Sequence, residues 1–478
     1  MRITFIGHAS LLIEANGLRI LSDPWWNGPC FGAQWWPYPL PYLQAIQDTP
    51  VDYVYISHGH HDHFHPPSLK LFRGAKVLVG AGSDLPGAIR NLGFGVIEND
   101  GRSETDLGQG VQCRIMGTYA DDTLCVVSAG GETCINLNDS LHSAPAAVQQ
   151  QFFRLLRQLY GRPDYVFCGY GTASHFPNCY VIPGKNPTAT AAMRQAYFNR
   201  AWARIVHELA PRFGFPFAAD VAFLDEELFW ANEPVHNAER PTEAFDRRFG
   251  RSQDIRVLDI APGFGIEGGV VFREAKRQPV VAKDIRDVYA DAIKRVNRAA
   301  EVDLRTVEEL REMLARNVST GEAYFAKYEG DYRCLVEIKG ASVGIRVTKS
   351  GRNLSVETTD CGDDDQARAY DLVYRVRASY LRQSLISRYG HEVLFVGSGG
   401  IFEFPRVSTV ARGVHLEVMA MVKPFEAPGP RRRPRRIGLL GRAKQLVKRV
   451  HGRSTTNLYD LERWTVFYSR YDPDLFVS

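Results

Sequence analysis

Short apolar runs separated by turn residues open the chain. Ile3-Thr4-Phe5-Ile6, Leu11-Leu12-Ile13-Glu14 and Leu18-Arg19-Ile20-Leu21 predict strands, and Asn16-Gly17 is a hairpin signal between the last two. Val51–Ile56 and Ala75–Gly80 read as buried strands, with a helix expected from Pro66 to Phe72 between them. A strand-rich stretch runs from Gly95 to Cys134. Helices are then expected over 145–160 and 188–210, with the strands Asp164–Cys168 and Phe213–Phe217 interleaved. Such alternation predicts layers of helix and sheet. Residues 283–316 have a helical pattern with mixed charges. Strand patterns return at Cys334–Ile338, Val343–Val347 and Leu354–Glu357, followed by a helix over Ala378–Tyr389. After Pro428-Gly429-Pro430, residues 435–450 form an amphipathic basic helix pattern, and an aromatic tail follows Ser454.

Length and composition narrow this only a little. The 478 residues, 45% hydrophobic and 23% charged, suit a globular protein of two to four domains. Three segments are expected: a catalytic domain over 1–270, a smaller α+β domain over 271–425, and a basic helix with an aromatic tail over 426–478. Eight scattered cysteines without CxxC spacing fit reduced thiols in the cytoplasm. No signal-peptide layout or spanning apolar segment is present in the sequence. The net charge of +4 conceals ten Lys or Arg and no acid between Arg431 and Arg453, so the rest of the chain is mildly acidic. That basic stretch suits an anionic membrane surface, where the protein would sit peripherally, or an acidic partner; its other reading is a helix packed on the body. Nucleic acid is not expected. Gly263-Phe264-Gly265-Ile266-Glu267-Gly268 matches a dinucleotide-loop spacing but is followed by a strand pattern, so it reads as a plain loop.

The chemistry concentrates in Ser57-His58-Gly59-His60-His61-Asp62-His63-Phe64-His65, directly after the Val51–Ile56 run. A strand delivering His-x-His-x-Asp-His to a turn aims His58, His60, Asp62 and His63 at one or two metal ions. Imidazole and carboxylate donors select iron, zinc and other first-row metals over magnesium. Asp139, just past an apolar strand, is placed either to share both ions or to cap the following helix. His175, at another strand end, is either the last ligand or a hydrogen-bonded core residue. Trp25, Trp26, Trp35 and Trp36 either cap a core or wall a substrate pocket.

Ligands on loops at strand ends point to a metallo-β-lactamase-type αββα sandwich in an α/β chain with a C-terminal α+β domain. Gly7-His8-Ala9, Asp23-Pro24-Trp25, Gly28-Pro29, Phe31-Gly32, Trp35-Trp36, Tyr55-Ile56-Ser57-His58, Asn136 to Asp139, Ala173–Pro177 and Pro216-Phe217-Ala218 resemble the catalytic part of CMP-N-acetylneuraminate hydroxylase. The resemblance implies iron, molecular oxygen and electrons from a separate protein. Two departures stand out. The family's Rieske domain is not matched by any Cys-x-His pair here, and Tyr119 occupies the place where the fold usually has its third histidine. One metal position then keeps His58, His60 and Asp139, with Tyr119, Asp121, Asp122 or water completing it. The other takes Asp62, His63, His175 and Asp139.

Three functions compete. The favoured one is an oxygenase or hydroxylase with one or two iron ions, acting on a small or carrier-linked substrate with an external electron donor, and with Tyr119 donating a hydrogen bond to activated oxygen. The second is a hydrolase, with zinc in place of iron, in which Asp62 orients or deprotonates a metal-bound water. The third is a non-catalytic lipid- or carrier-binding protein.

Overall fold

The computed structural model describes residues 1–405, apart from 48–49, 119–121, 143, 145, 172–177, 182–185, 234–238, 252–253, 299, 321–330, 352, 362–368, 387–390, 395 and 404. These residues form two compact units. The first comprises Met1–Ala173 with Ala191–Asn297, and the second lies within 174–190 and from Arg298 onward. The expected basic helix over 431–453 and the aromatic tail lie outside the described residues.

Two sheets make the body of the first unit. One has eight strands in the order Val270–Arg273, Gly265–Glu267, Arg2–Gly7, Ser10–Ala15, Leu18–Ser22, Tyr53–Ile56, Lys76–Gly80, Val96–Asn99. The other has seven, in the order Arg256–Val257, Phe213–Phe217, Tyr165–Gly169, Glu132–Asn138, Thr123–Ala129, Val111–Gly117, Thr105–Gly108. Strand side chains alternate between faces, and the sequence uses both. Phe5, Leu11 and Ile13 of the first sheet meet Cys125, Val127, Phe167 and Phe215 of the second in one buried cluster. The intervening Ile6 and Leu12 face outward onto Leu69 and Ile89. On the far side, Val126, Leu137 and Val166 pack under Phe153 of the helix Ala146–Tyr160 and Trp202 of the helix Pro187–Leu209. The resulting layers, helix, sheet, sheet, helix, are the αββα sandwich expected from the alternation. Burying each such aromatic stabilises the fold by roughly 1.5–3 kcal/mol, and Phe167 stacks on Phe215 with ring centroids 4.5 Å apart.

The single helical pattern over 283–316 is three helices: Ala282–Val288, Ala290–Val296 and Leu304–Thr320. Ile285 and Ile293 of the first two pack with Ala222, Leu224 and Phe229, so the first unit continues past residue 270 to Asn297. The Gly263–Gly268 stretch leads into the antiparallel pair Gly265–Glu267 and Val270–Arg273. No helix starts there, as a dinucleotide loop would require.

The second unit has a six-stranded sheet in the order Tyr180–Val181, Gly400–Glu403, Leu372–Val376, Tyr332–Ile338, Val343–Ser350, Asn353–Asp360. It also contains the helices Leu304–Thr320 and Ala378–Ile386. Among the described residues, no helix is long and apolar enough to cross a membrane.

Candidate metal centre

Polar side chains gather where strands of both sheets end. His8 sits in the turn after Arg2–Gly7, Asp23 follows Leu18–Ser22, the histidine cluster follows Tyr53–Ile56, and Asp139 follows Glu132–Asn138. Asp122 immediately precedes Thr123–Ala129. His8, Asp23, Asn138 and Ala218 all have positive φ, between 36° and 51°. Non-glycine residues adopt this region rarely, and when several cluster they mark a place where the surroundings dictate backbone direction. Gly169 matters for a similar reason: a Cβ there would lie 2.6 Å from the carbonyl oxygen of Asn138 and 3.2 Å from Asp139 Oδ1.

His63 is the hub and is fully buried. Its Nε2 lies 3.1 Å from Asp62 Oδ2 and 3.3 Å from Asp139 Oδ2. Its Nδ1 lies 3.1 Å from Asp23 Oδ2. Asp23 also accepts from the Ser57 amide at 2.8 Å and from the Ser57 hydroxyl at 2.7 Å. His58 Nδ1 is 3.0 Å from the same Ser57 Oγ, and His58 Nε2 faces His60 Nδ1 at 2.8 Å and Asp122 Oδ1 at 3.7 Å. Asp122 is held in place because the amide and hydroxyl of Thr118 both donate to its carbonyl oxygen, at 2.8 and 3.0 Å. The structure therefore gathers His58, His60, Asp62, His63 and Asp139. Tyr119, Asp121 and His175 lie outside the described residues.

Charge balance argues for a cation here. Burial alone would lower the pKa of His63, yet the carboxylates of Asp62 and Asp139 outweigh it and hold the pKa well above the ordinary histidine value. Burial pushes Asp62 and Asp139 upward, but the neighbouring His63 reverses the shift and keeps both ionised. His58 goes the other way: burial, then the adjacent His63 and His60, keep it neutral. Two buried atoms, Asp62 Oδ1 and His63 Nε2, have no hydrogen-bond partner. An unpaired buried carboxylate oxygen is costly unless something positive faces it. Among the described residues, two groupings bring three donor atoms within 4.8 Å of one another, His58–His63–Asp139 and His8–Asp62–His63. The donor set fits a first-row metal ion.

The remaining expected residues divide. Trp25 is buried with its ring edge-on to His8, centroids 4.9 Å apart. Trp26 packs on Phe72, Trp35 on Phe31 and Phe223, and Trp36 on Tyr289, contacts that suit the capping of a core. His61 stacks on Phe31, and His65 caps the helix Pro66–Leu69 by accepting from the Ser68 amide. Unforeseen from the sequence is a buried ionic chain beside the cluster. Arg277 donates to both oxygens of Asp220 at 2.7 and 3.0 Å, Tyr170 donates to Asp220 at 3.2 Å, and Arg240 joins Tyr170 at 2.7 Å to Asp259 at 2.9 and 3.0 Å. A cavity is lined by His8, Tyr170, Ala218, Asp220, Ile260 and Arg277.

Residues 2–131 match the family model described as a beta-lactamase superfamily domain. With the two-sheet architecture, this gives the first unit a metallo-β-lactamase-type fold. A protein of Mycolicibacterium smegmatis named as a Rieske 2Fe–2S iron–sulfur protein is 31% identical over 248 residues, 48% of this chain and 45% of its own length. The zebrafish (Danio rerio) cytidine monophosphate-N-acetylneuraminic acid hydroxylase is 39% identical over 69 residues, 14% of this chain and 12% of that one. The chain thus spans about half the length, or less, of these curated relatives. Among solved structures, CmlA, a diiron β-hydroxylase of Streptomyces venezuelae, superposes with a TM-score of 0.38 at 18% identity, covering 55% of this chain and 53% of that one. Igni18, a metallo hydrolase of Ignicoccus hospitalis, gives 0.37 at 17%, covering 55% and 97%.

Proposed function

We propose that this chain is an iron-dependent oxygenase that hydroxylates a small or carrier-linked substrate. The observation carrying the reading is the grouping of His58, His63 and Asp139, whose donor atoms all lie within 4.8 Å of one another. It supplies two imidazoles and a carboxylate, with His60 Nδ1 2.8 Å and the Asp122 carboxylate 3.7 Å from His58 Nε2 as further candidate donors. That donor set, with positions left open, is the one that suits ferrous iron in non-haem oxygenases, whereas a third imidazole would favour zinc. The local similarity to hydroxylases supports the same choice.

His58, His60, Asp62, His63 and Asp139 would hold the iron, with Asp122 near enough to His58 to assist. Bound iron would supply the redox chemistry of a monooxygenation, in which oxygen, substrate, two electrons and two protons give hydroxylated product and water. The chain's own residues do the rest. Ser57 Oγ and Asp23 fix the rings of His58 and His63 through their Nδ1 atoms, so that both Nε2 atoms face the centre. Asp62 and Asp139 remain ionised there and balance the charge. Beside His8, the paired Arg277 and Asp220 give the site a fixed polar wall. Electrons come from a separate donor. The 2Fe–2S name of the relatives supports an iron–sulfur protein in that role.

The test is oxygen uptake by protein reconstituted with ferrous iron and given a chemical reductant or a 2Fe–2S ferredoxin. The reading expects reductant-dependent uptake that zinc-loaded protein lacks. Zinc-loaded protein that cleaves generic esters or phosphodiesters, with no uptake by the iron form, would overturn it in favour of a hydrolase.

A further inference from the structure

We propose that His8 is a metal ligand, completing with Asp62 and His63 a three-donor position for a divalent first-row ion. His8 lies outside the clustered motif, on the turn joining Arg2–Gly7 to Ser10–Ala15, where the strand register shifts between Phe5 and Gly7. Its φ of 47° lies in the left-handed region, which non-glycine residues enter rarely, though histidine more often than most. The side chain is 7% exposed.

The argument rests on which atoms can donate. His8 Nδ1 lies 3.1 Å from the backbone oxygen of Asp220, which can only accept, so the ring hydrogen is on Nδ1. In the neutral ring Nε2 then carries a lone pair, yet it faces Asp62 Oδ2 at 3.0 Å. Two lone pairs at that separation call for a cation between them. His63 repeats the arrangement: Nδ1 meets Asp23 Oδ2, while Nε2 lies 3.1 Å from the same Asp62 oxygen without a hydrogen-bond partner.

The geometry has the right scale. Metal–ligand bonds of about 2.0–2.1 Å leave about 2.9–3.4 Å between neighbouring donor atoms, and the two measured edges here are 3.0 and 3.1 Å. Metal-bound imidazoles commonly donate their other nitrogen to a carbonyl or carboxylate, which fixes the ring. Asp220 serves His8 in this way, and is itself immobilised by Arg277 and Tyr170. The second position expected from the sequence has Asp62, His63, His175 and Asp139; His8 adds a donor from a different strand pair.

This inference depends on the cluster binding metal at all, and the experiment separates the two claims. Metal-free full-length protein is titrated with Co²⁺ and with Zn²⁺ by calorimetry and, for cobalt, by absorption. The comparison uses wild type, His8→Ala, His63→Ala and His58→Ala, with circular dichroism reporting folding. Outer partners of a ligand change affinity 10–100-fold, so loss of a ligand is expected to weaken the ion shared with His63 by about 100-fold or more. His8→Ala should match His63→Ala in this and should differ from His58→Ala. If wild type binds neither ion, the metal reading itself fails. If wild type binds and His8→Ala binds equally well, the cation on His8 Nε2 is a proton, and the inference fails while the metal reading stands. Should His8→Ala not fold, wild type loaded with ¹¹³Cd²⁺ and carrying ¹⁵N-histidine decides: coupling at Nε2 of His8 supports ligation, and coupling at His63 without it at His8 overturns it.

Discussion

Nδ1 of His63 lies 3.1 Å from Oδ2 of Asp23, with both side chains wholly excluded from solvent. This contact keeps a ring hydrogen on Nδ1 and turns Nε2 toward Asp62 and Asp139. Asp23→Asn would present an amide N–H to Nδ1 and favour the opposite tautomer. Its metal affinity is expected to fall 10–100-fold, measured by competition with a chelator. Unchanged affinity would show that Asp23 is only a structural anchor for Ser57.

On the proposed reading, a ligating Asp122 would bias the first position toward iron. Asp122→His replaces an oxygen donor with a third imidazole, and the variant is expected to retain zinc in preference to iron and to lose reductant-dependent oxygen uptake. Metal content after growth in medium containing both ions checks this. Iron retention equal to that of wild type would remove Asp122 from the ligand set.

Gly169 gives Asp139 its place. In Gly169→Ala the new methyl would press on the carbonyl of Asn138 and on Asp139 Oδ1. A destabilisation of about 1–3 kcal/mol is expected from such overpacking, together with weaker metal binding. Denaturation in urea with and without a chelator separates the two effects. A variant as stable as wild type, with the same metal affinity, would mean that the loop yields freely.

His65 gives the acid side of the stability profile a defined contribution. Burial pushes its pKa down to about 4, only partly opposed by the contact with the Pro29 carbonyl. Its Nδ1 must stay unprotonated to accept from Ser68. The unfolded chain therefore takes up this proton first, near pH 6.5, and the folded chain only near 4. Stability from His65 is complete above about pH 6.5 and is lost as pH falls toward 4, by roughly 3 kcal/mol at most. His65→Asn keeps a capping acceptor without the titration. Relative to wild type, its unfolding free energy is expected to fall less between pH 7 and pH 4.5. Parallel slopes would contradict this.

The sequence made the strand–turn–ligand unit at His58–His63 legible because all its parts lie within one turn. The sandwich was legible for a related reason: alternation within single strands, such as Phe5 inward and Ile6 outward, carries its own period. Asp122 was only one candidate beside Tyr119 and Asp121, because spacing alone does not say which side chain approaches His58 from a distant part of the chain. The contact between His8 and Asp62 spans 54 positions and the one between His8 and Asp220 spans 212. No local pattern encodes pairings at that distance. The break of the 283–316 helix was hidden for the opposite reason. Helical periodicity persists on both sides of Tyr289, while packing of Ile285 and Ile293 under Phe229 sets the actual course of the chain.

The central claim is that buried imidazoles and carboxylates at the strand ends hold iron. Elemental analysis of anaerobically purified full-length protein, beside a His58→Ala/His63→Ala variant that remains folded, tests it most directly. One to two irons per wild-type chain, and none in the variant, is the expected result. Zinc in place of iron, or equal metal content in the two proteins, would contradict it.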